Sequence, residues 1–289
     1  MTESLLICTD LDRTLIPNGP QAESPAARKH FAVLAAHSQV TLAYVSGRHR
    51  ALVEKAIIYY ALPVPDFVLG DVGTTIYRVG PQQQWARQQD WETAIAQDWA
   101  GLGHAELKAL LRDLVDLRLQ EASKQNACKL SYYVPLDSDK GVLSEKIQQR
   151  LQAKDVRARL VWSVDEPHGV GLLDVLPARA SKYHAVEALM QEQGFDYSNT
   201  VFCGDSGNDI EVLVSPIPSV LVANSQSGVR MLAQRQASEQ GHAQQLYIAR
   251  GGFKGMNGNY SAGILEGIAH YHPQSLAWMG FATMGHTDE

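Results

Sequence analysis

Short apolar runs divide the first 80 residues into segments that the hydrophobic pattern predicts to alternate between strand and helix. Residues 5–8, 40–45 and 67–69 are apolar runs with the length of short buried strands. The stretches between them, 25–36 and 51–61, are predicted to be helical. Short strands that alternate with helices are typical of βαβ units, and they predict a parallel sheet covered by helices on both faces.

The pattern changes after residue 80. Residues 80–89 are polar and rich in Gln, and we interpret them as a linker. The elements predicted beyond this linker are helices at 91–100, 105–119 and 140–153 and strands at 129–134, 156–164 and 170–176. This mixture predicts an α+β insert with an antiparallel sheet, spliced into the first domain.

The first pattern then resumes and continues to the end of the chain. Its predicted elements are helices at 181–191, 210–214, 229–236 and 262–271 and strands at 200–203, 219–223 and 246–249. The Gly-rich segment 251–258 is predicted to be a mobile loop. We therefore predict an α/β protein with a core domain formed by 1–80 and 174–289 and an inserted domain at 81–173.

Composition removes several classes of function. The 289 residues carry a formal net charge of −6 and no Lys/Arg run, which disfavours a nucleic-acid partner. No apolar stretch approaches the roughly 20 residues of a membrane span, and no secretory signal is visible at the N-terminus. Three scattered cysteines fit neither a disulfide framework nor a zinc site. We expect a cytoplasmic protein that does not bind a membrane.

Polar side chains follow two of the predicted strands. Asp10 and Asp12 come after the first strand, and Ser46 and Arg48 come after the second. Right-handed crossovers bring the ends of parallel strands to one edge of the sheet, where ligands bind in open α/β folds. Alone, these residues could be ordinary turn residues, and Ser46-Gly47-Arg48 an ordinary strand-to-helix turn.

Later segments supply the other groups that hydrolysis of a phosphate ester by a carboxylate needs. Asp10 suits the nucleophile and Asp12 the general acid and base. Ser46 offers a hydroxyl and a backbone amide to phosphoryl oxygens. Lys182, at a predicted helix start, offers a positive charge to Asp10 and the phosphate. Considered alone, Lys182 could be an ordinary solvated surface lysine.

A metal site is predicted in the same place. Asp205 and Asp209 follow the strand at 200–203, and Gly204 and Gly207 allow the chain to turn tightly between them. With Asp10 they form a carboxylate set of the kind that holds Mg²⁺, which screens a dianionic phosphate from its nucleophile. Together and in this order, these residues favour a Mg²⁺-dependent phosphatase.

The residues also resemble a known superfamily. Asp-Leu-Asp-Arg-Thr at 10–14, Val-Ser-Gly-Arg at 45–48, Ala-Ser-Lys at 180–182 and Gly-Asp-Ser-Gly-Asn-Asp at 204–209 are similar to the four motifs of the haloacid dehalogenase superfamily. The resemblance implies a Rossmann-like core with a mobile cap between the second and third motifs. Stretches 72–77, 126–134, 172–182, 220–226 and 259–271 are similar to the sucrose-phosphate phosphatase family.

The resemblance implies a role for each matching residue. Asp10 would be phosphorylated, Asp12 would be the acid and base, and Ser46 and Lys182 would hold the phosphate. Metal binding would fall to Asp10, the Asp12 backbone carbonyl and Asp205, with Asp209 in support. The residues implied at the phosphate or the sugar are Arg48, Gly73, Thr74, Asn126, Lys129, Ser131, Tyr133, Asn208 and Asn224.

Three of these residues also share a predicted strand face. Lys129, Ser131 and Tyr133 alternate with the apolar Leu130, Tyr132 and Val134 in the strand at 129–134. They could form one surface that binds hydroxyl groups, or simply the solvent side of a strand.

Some departures from the pattern bear on the substrate. Arg13 stands where many superfamily members have Gly, Thr75 stands where the sucrose enzymes are expected to have Glu, and 251–258 is longer and richer in Gly than expected. We predict hydrolysis of a phosphorylated disaccharide or glycoside, with sucrose 6-phosphate first.

Other functions stay open at this point. They are hydrolysis of mannosylfructose, glucosylglycerol or hexose phosphates, a phosphosugar mutase, and a sugar-phosphate-binding module that docks on a synthase. A mutase needs clustered arginines in the insert, and the arginines considered for this role are Arg112, Arg118, Arg150, Arg157 and Arg159. The resemblance also leads us to expect a monomer, with a sugar-phosphate synthase as a possible partner.

Overall fold

The computed structural model describes residues 4–165 and 168–281 of the chain. The ends of the predicted core domain, 1–3 and 282–289, and residues 166–167 of the predicted insert lie outside this description. Among the described residues, no helix is long and apolar enough to cross a membrane.

The described residues form two sheets. The strands, in chain order, are β1 Leu5–Thr9, β2 Val40–Val45, β3 Phe67–Gly70, β4 Thr75–Gly80, β5 Gln84–Arg87, β6 Arg118–Leu119, β7 Leu130–Val134, β8 Ala158–Asp165, β9 Val170–Pro177, β10 Thr200–Gly204, β11 Ser219–Leu221 and β12 Leu246–Ile248. The large sheet has the order β12-β11-β10-β1-β2-β3-β4-β5, and the small sheet has the order β6-β7-β9-β8.

The large sheet is parallel from β12 to β3 and antiparallel at β4 and β5. Its six parallel strands confirm the predicted α/β class. Strand β5 corrects the interpretation of 80–89 as a linker. Gln84 and Arg87 of this strand are exposed and Trp85 is half-buried, a composition that an edge strand tolerates.

Helices cover both faces of the large sheet. The helices, in chain order, are α1 Ala27–Ala35, α2 Arg50–Tyr59, α3 Gln89–Ala96, α4 His104–Leu111, α5 Lys140–Gln152, α6 Lys182–Gln193, α7 Ile210–Leu213, α8 Ser227–Glu239 and α9 Ser261–Tyr271. One apolar core joins the sheet to α1, α2 and α9 through Phe31, Val53 and Leu265. A second core on the opposite face includes Leu189 of α6 and Val212 of α7. These layers bury the strands on both sides, as their apolar sequences require.

The small sheet is antiparallel, as predicted, and it has its own apolar core. Leu130, Tyr132 and Val134 of β7 enter this core, which confirms the apolar face of the predicted alternation. Helices α4 and α5 supply Leu107 and Ile147 to the same core. The helix predicted at 105–119 ends at Leu111, and the chain then turns into the short strand β6.

The division into domains stays a prediction, although the sheets show how the elements are distributed. Strand β5 lies within the predicted insert but pairs with the large sheet. Strand β9 belongs to the small sheet and extends to Pro177, beyond the predicted boundary at residue 173.

The Gly-rich segment 251–258 is held by hydrogen bonds to distant residues, and its predicted mobility stays a prediction. The buried Glu266 of α9 accepts hydrogen bonds from the backbone N–H groups of Arg250 and Gly251, at 2.8 and 3.0 Å. Asn257 accepts a hydrogen bond from the hydroxyl of Ser24 at 2.8 Å. A glycine count carries no information about these contacts, because they come from residues distant in the sequence.

Candidate active site

The predicted motif residues meet at the carboxyl edge of the large sheet. Asp10 directly follows β1 and Asp205 directly follows β10, and these two strands pair in parallel with Thr9 opposite Cys203. The backbone N–H of Asp10 extends this ladder by donating to the Cys203 carbonyl at 2.8 Å. The sheet register therefore brings together two carboxylates that are 195 positions apart in the numbering.

Lys182 is buried among these carboxylates. It is the first residue of α6, where the Ser181 hydroxyl caps the helix by accepting the His184 N–H. Its Nζ donates to Asp10 Oδ1 at 2.9 Å, to Asp209 Oδ1 at 2.6 Å and to Asn208 Oδ1 at 3.2 Å. Burial lowers the pKa of Lys182, but the carboxylates of Asp10 and Asp209 raise it more, so the ammonium stays charged.

Three buried carboxylates form a group that could hold a cation. Oxygen atoms of Asp10, Asp205 and Asp209 lie within 4.8 Å of one another. Burial raises the pKa of Asp10 to about 8, against the lowering effect of Lys182. Burial and the neighbouring Asp209 raise the pKa of Asp205 to about 6. Three carboxylates outnumber the one ammonium of Lys182, so without a further cation the site favours their protonated forms. Its all-oxygen ligands suit a hard cation such as Mg²⁺.

Asp209 also organises the loop that carries Asp205. Its Oδ2 accepts the backbone N–H groups of Asp205 and Ser206, both at 3.1 Å. Gly204 makes this approach possible, because a Cβ there would come within 2.7 Å of the Asp209 carboxyl carbon. The glycine between strand and loop is therefore a packing requirement of the site.

Asp12 faces a different partner from the other carboxylates. Arg48, which we expected at the substrate, donates from Nε and Nη2 to the two oxygens of Asp12, both at 2.6 Å. Asn18 adds a third hydrogen bond, at 2.7 Å. Burial raises the pKa of Asp12, but the hydrogen bonds from Arg48 outweigh it, so the pKa is lowered. The role of the Asp12 carbonyl as a metal ligand stays a prediction.

Ser46 follows β2 and is buried. Its backbone N–H donates to the Leu69 carbonyl at 2.8 Å, so the expectation that this amide binds a phosphate is wrong. The amide continues the pairing of β2 with β3 and is already used. The Ser46 Oγ accepts the Arg48 N–H at 3.2 Å, which leaves the hydroxyl hydrogen for a ligand.

A cavity of about 510 Å³ opens beside Lys182 between the two sheets. Its walls include Ser206 and Asn208 of the large-sheet loop and 159–163 of β8. Arg159 of β8 donates to Glu211 of α7 at 2.9 Å, so an ion pair spans the two sides of the opening. The small sheet therefore forms one wall of the cavity that Lys182 lines.

Lys129 lies in an adjoining cavity of about 220 Å³. Its buried ammonium is 3.7 Å from Asp71 Oδ1 and 3.6 Å from Asp174 Oδ2, beyond hydrogen-bond distance from both. Trp162 and Asn208 line this cavity as well as the larger one. A buried cation flanked by two carboxylates can bind several hydroxyl groups of one ligand.

Ser131 and Tyr133 already have protein partners. The Ser131 hydroxyl is buried and lies within hydrogen-bond distance of the Asp174 carboxylate and the Lys124 carbonyl. The Tyr133 hydroxyl donates to the Glu121 carboxylate, and its ring lies under Arg118. Lys129 alone of the three predicted face residues lines the described cavity.

Gly73, Thr74 and Asn126 connect the two sheets. The Asn126 amide donates to the Thr74 hydroxyl at 2.9 Å. Gly73 packs directly on the segment before α6, since a Cβ at Gly73 would lie 2.3 Å from the Ser181 carbonyl oxygen. Gly73 therefore contacts the segment that carries Lys182, and the expected contacts of the three residues with the substrate stay a prediction.

Asn208 and Asn224 differ in location. Asn208 lines both cavities and accepts hydrogen bonds from Lys182 and the Ser206 hydroxyl. Asn224 is buried away from these cavities, and its amide joins the Arg13 carbonyl at 2.6 Å to the Tyr260 N–H at 2.8 Å. Both ends of this amide are used within the protein, and the expected contact of Asn224 with the substrate stays a prediction.

The sequence analysis missed two residues of the small cavity, Asp71 and Asp174. Asp71 follows strand β3 as Asp10 follows β1, and the same rule could have identified it. Asp174 is a charged residue inside the apolar strand β9, where it pairs opposite Ser131. A charge within a buried strand is the signal that could have found it.

Comparisons with known proteins identify the family of this chain. The model of the family described as sucrose-6F-phosphate phosphohydrolase matches residues 3–272. A putative HAD-like hydrolase of Nitrosococcus oceani is 54% identical over 96% of this chain and 75% of its own length. The mannosylfructose-phosphate phosphatase of Agrobacterium fabrum is 29% identical over 76% of this chain and 83% of its own.

A solved structure is similar as well. The sucrose-phosphatase of Synechocystis, in complex with sucrose and phosphate, superposes with a TM-score of 0.70 at 25% sequence identity. The match covers 93% of this chain and 98% of that one.

Proposed function

This chain belongs to the sucrose-6F-phosphate phosphohydrolase family of haloacid dehalogenase-like phosphatases, and we propose that its preferred substrate is sucrose 6-phosphate. The family makes it a sugar-phosphate phosphatase. The observation that carries the proposed chemistry is the buried Lys182 ammonium, bonded to Asp10 and Asp209 beside the Asp205 carboxylate. A charged lysine and a nucleophile in contact inside the protein are the arrangement that phosphoryl transfer needs.

The proposed reaction has two steps. A carboxylate oxygen of Asp10 attacks phosphorus, the bond from phosphorus to the sugar oxygen breaks, and Asp12 gives that oxygen its proton. Asp12 then takes a proton from water as the water attacks the aspartyl phosphate, which releases phosphate and restores Asp10. Lys182 orients Asp10 in both steps.

The carboxylates of Asp10, Asp205 and Asp209 would hold Mg²⁺. When bound, this ion supplies the positive charge that ionises the three carboxylates and screens the dianionic phosphate from Asp10. The donor set supports this assignment, because hard divalent cations prefer oxygen ligands.

The two adjoining cavities support a substrate larger than a single sugar ring. The phosphate would lie beside Lys182 in the larger cavity, and hydroxyl groups would reach Lys129, Asp71 and Asp174 in the smaller one. Relatives named for mannosylfructose phosphate and for sucrose phosphate both act on phosphorylated disaccharides by their names.

The arginines of the insert do not favour a mutase. Four of them have partners within the protein: Arg150 with Asp113, Arg157 with Asp98, Arg159 with Glu211, and Arg118 with the ring of Tyr133. A mutase would need arginines that converge on a second phosphate.

We also propose that the enzyme works as a monomer in the cytoplasm. The three cysteines, Cys8, Cys128 and Cys203, are free thiols and are buried, which suits a reducing compartment. Docking on a sugar-phosphate synthase stays a prediction.

The test is phosphate release from a panel of sugar phosphates with Mg²⁺ and then with EDTA. The panel holds the 6-phosphates of sucrose and trehalose, mannosylfructose phosphate, glucosylglycerol phosphate and hexose phosphates. We expect kcat/KM for sucrose 6-phosphate to exceed that for the other sugar phosphates by at least about a hundredfold. EDTA should abolish phosphate release from every substrate. Metal-dependent release at similar rates from all of the sugar phosphates would refute the preference for sucrose 6-phosphate but would leave the proposed reaction mechanism standing.

Two variants test the nucleophile. Asp10→Asn should lower kcat by about a thousandfold or more, because the amide is not a nucleophile at phosphorus. Asp113→Asn is the matched control, since Asp113 pairs with Arg150 on the surface of the insert, and its activity should equal that of the wild type. Substantial turnover by Asp10→Asn would rule out the aspartyl phosphate.

A further inference from the structure

Arg13 adopts a backbone conformation that favours glycine. Its φ is +60°, in the left-handed region, where a side chain costs free energy. The surroundings hold it there: Asn18 accepts the Arg13 N–H at 2.8 Å, and Asn224 donates to the Arg13 carbonyl at 2.6 Å. Backbone strain that the surroundings hold in place is often found where the side chain has a function.

The Arg13 side chain reaches the metal-site carboxylate Asp205. Its Nε lies 3.6 Å from Asp205 Oδ2, while Oδ1 of the same carboxylate accepts the Thr14 hydroxyl at 3.3 Å. This Nε is buried and has no hydrogen-bond partner within the described part of the chain. The guanidinium therefore acts on Asp205 through charge and not through a hydrogen bond.

The charges around the site show which carboxylate Arg13 balances. Three buried carboxylates lie within 4.8 Å of one another, and Lys182 bonds to two of them, Asp10 and Asp209. Asp205 lacks a bond to Lys182, and within the described residues Arg13 is the cation that forms its ion pair. Without a metal, Arg13 is therefore the charge that balances the third carboxylate.

We propose that Arg13 is a positioning residue that acts through Asp205, holding this carboxylate in the metal-free protein and opposing the binding of a divalent cation. The two effects have one origin, since a guanidinium that attracts Asp205 also repels a dication bound to it. The proposal rests on the proposed function only in that the carboxylate trio binds a divalent cation.

The experiment compares Arg13→Gln with Arg13→Lys. Both side chains pay the same backbone cost at a φ of +60°, so the pair isolates the charge. Mn²⁺ is the probe, because the electron paramagnetic resonance signal of free Mn²⁺ disappears on binding and needs no substrate. Asp205→Asn supplies the reference for a damaged site.

We expect Arg13→Gln to lower the Kd for Mn²⁺ by roughly threefold to tenfold and Arg13→Lys to keep the wild-type value. In EDTA, Arg13→Gln should unfold at a lower temperature than the wild type and Arg13→Lys should not. An unchanged or higher Kd in Arg13→Gln would overturn the proposal. Equal Kd values for the two variants would overturn it too.

The outcomes separate this proposal from the proposed function. If the wild type binds Mn²⁺ but does not hydrolyse sucrose 6-phosphate, the substrate assignment fails and the Kd comparison still decides the role of Arg13. If the wild type binds no Mn²⁺, the metal site and the role of Arg13 fail together.

Discussion

Arg48 binds Asp12 through two hydrogen bonds of 2.6 Å, and this pair joins the chain after β1 to the chain after β2. Bidentate pairing of a guanidinium with a carboxylate fixes both the position and the plane of the carboxylate. It also favours the ionised form, in which Asp12 accepts a proton. To act as an acid in the proposed reaction, Asp12 has to leave Arg48 and take up a proton first.

Replacing Arg48 by Lys should therefore lower kcat by on the order of tenfold to a hundredfold, because an ammonium cannot hold both oxygens of Asp12 in one plane. Steady-state phosphate release measures this. Arg50→Lys is the control, since Arg50 is an exposed residue of α2 that pairs with Glu54. If Arg48→Lys and Arg50→Lys turn over at the same rate, the pair does not position Asp12.

The sequence pattern predicted the site because local signals carry it. Each motif residue lies at the end of an apolar strand, and parallel strands end at one edge, so Asp10 and Asp205 had to approach each other. Lys182 was predicted from its local position as well, because it is the first residue of the helix that follows the insert. No long-range information was needed for these three.

Other features depend on contacts that a sequence does not encode locally. The long side chain of Arg48 could reach a substrate or a neighbouring acid, and spacing cannot decide which. Asp174 meets Lys129 through the pairing of β7 with β9, across 45 positions of the chain. The polar segment 80–89 became strand β5 because β4 offered it an edge, a tertiary effect that overrides local composition.

Gly73 should be far less tolerant of alanine than another glycine of similar backbone conformation. A Cβ at Gly73, whose φ is +87°, would lie 2.3 Å from the Ser181 carbonyl oxygen, so the segment before Lys182 must shift. We expect Gly73→Ala to lose about 3 kcal/mol of unfolding free energy, measured in urea, and to lower kcat. Gly101→Ala should lose only about 1 kcal/mol, the cost of a left-handed alanine, because Gly101 has a φ of +80° and open space around it. Equal losses would mean that close packing on Ser181 has no energetic weight.

Glu266 should control the order of the Gly-rich segment 251–258. Its carboxylate accepts the Tyr247 hydroxyl at 2.9 Å and the backbone N–H groups of Arg250 and Gly251. In Glu266→Gln, an NH₂ group replaces one carboxylate oxygen and faces a hydrogen-bond donor of these partners. This change should lower the free energy of unfolding by about 2 kcal/mol. Hydrogen exchange should then accelerate across 251–258 but not in α6. Glu239→Gln, on the exposed end of α8, is the control, and the same exchange pattern in both variants would contradict the assignment.

Lys129→Met should destabilise the protein in a pH-dependent way. Burial raises the pKa of Asp71, and Lys129 opposes that rise from 3.7 Å. A carboxyl group whose pKa is higher in the folded state binds more protons there, so stability falls as the pH rises from the unfolded pKa through the folded pKa. Loss of Lys129 raises the folded pKa of Asp71 further and enlarges this fall. We expect Lys129→Met to cost about 3 kcal/mol at about pH 8 and clearly less at about pH 5, measured by urea unfolding.

A double variant assigns this pH dependence to its source. In Asp71→Asn, Lys129→Met the group that takes up the proton is gone, so most of the difference between the two pH values should disappear. Asp174 stays in the double variant, and any remainder reports on that second carboxylate, 3.6 Å from the Lys129 ammonium in the wild type. If Lys129→Met costs the same free energy at both pH values, Lys129 does not balance the Asp71 charge. Lys129 would then be buried for the packing of its aliphatic stem. A methionine of similar length keeps most of that packing, and its effect would not depend on pH.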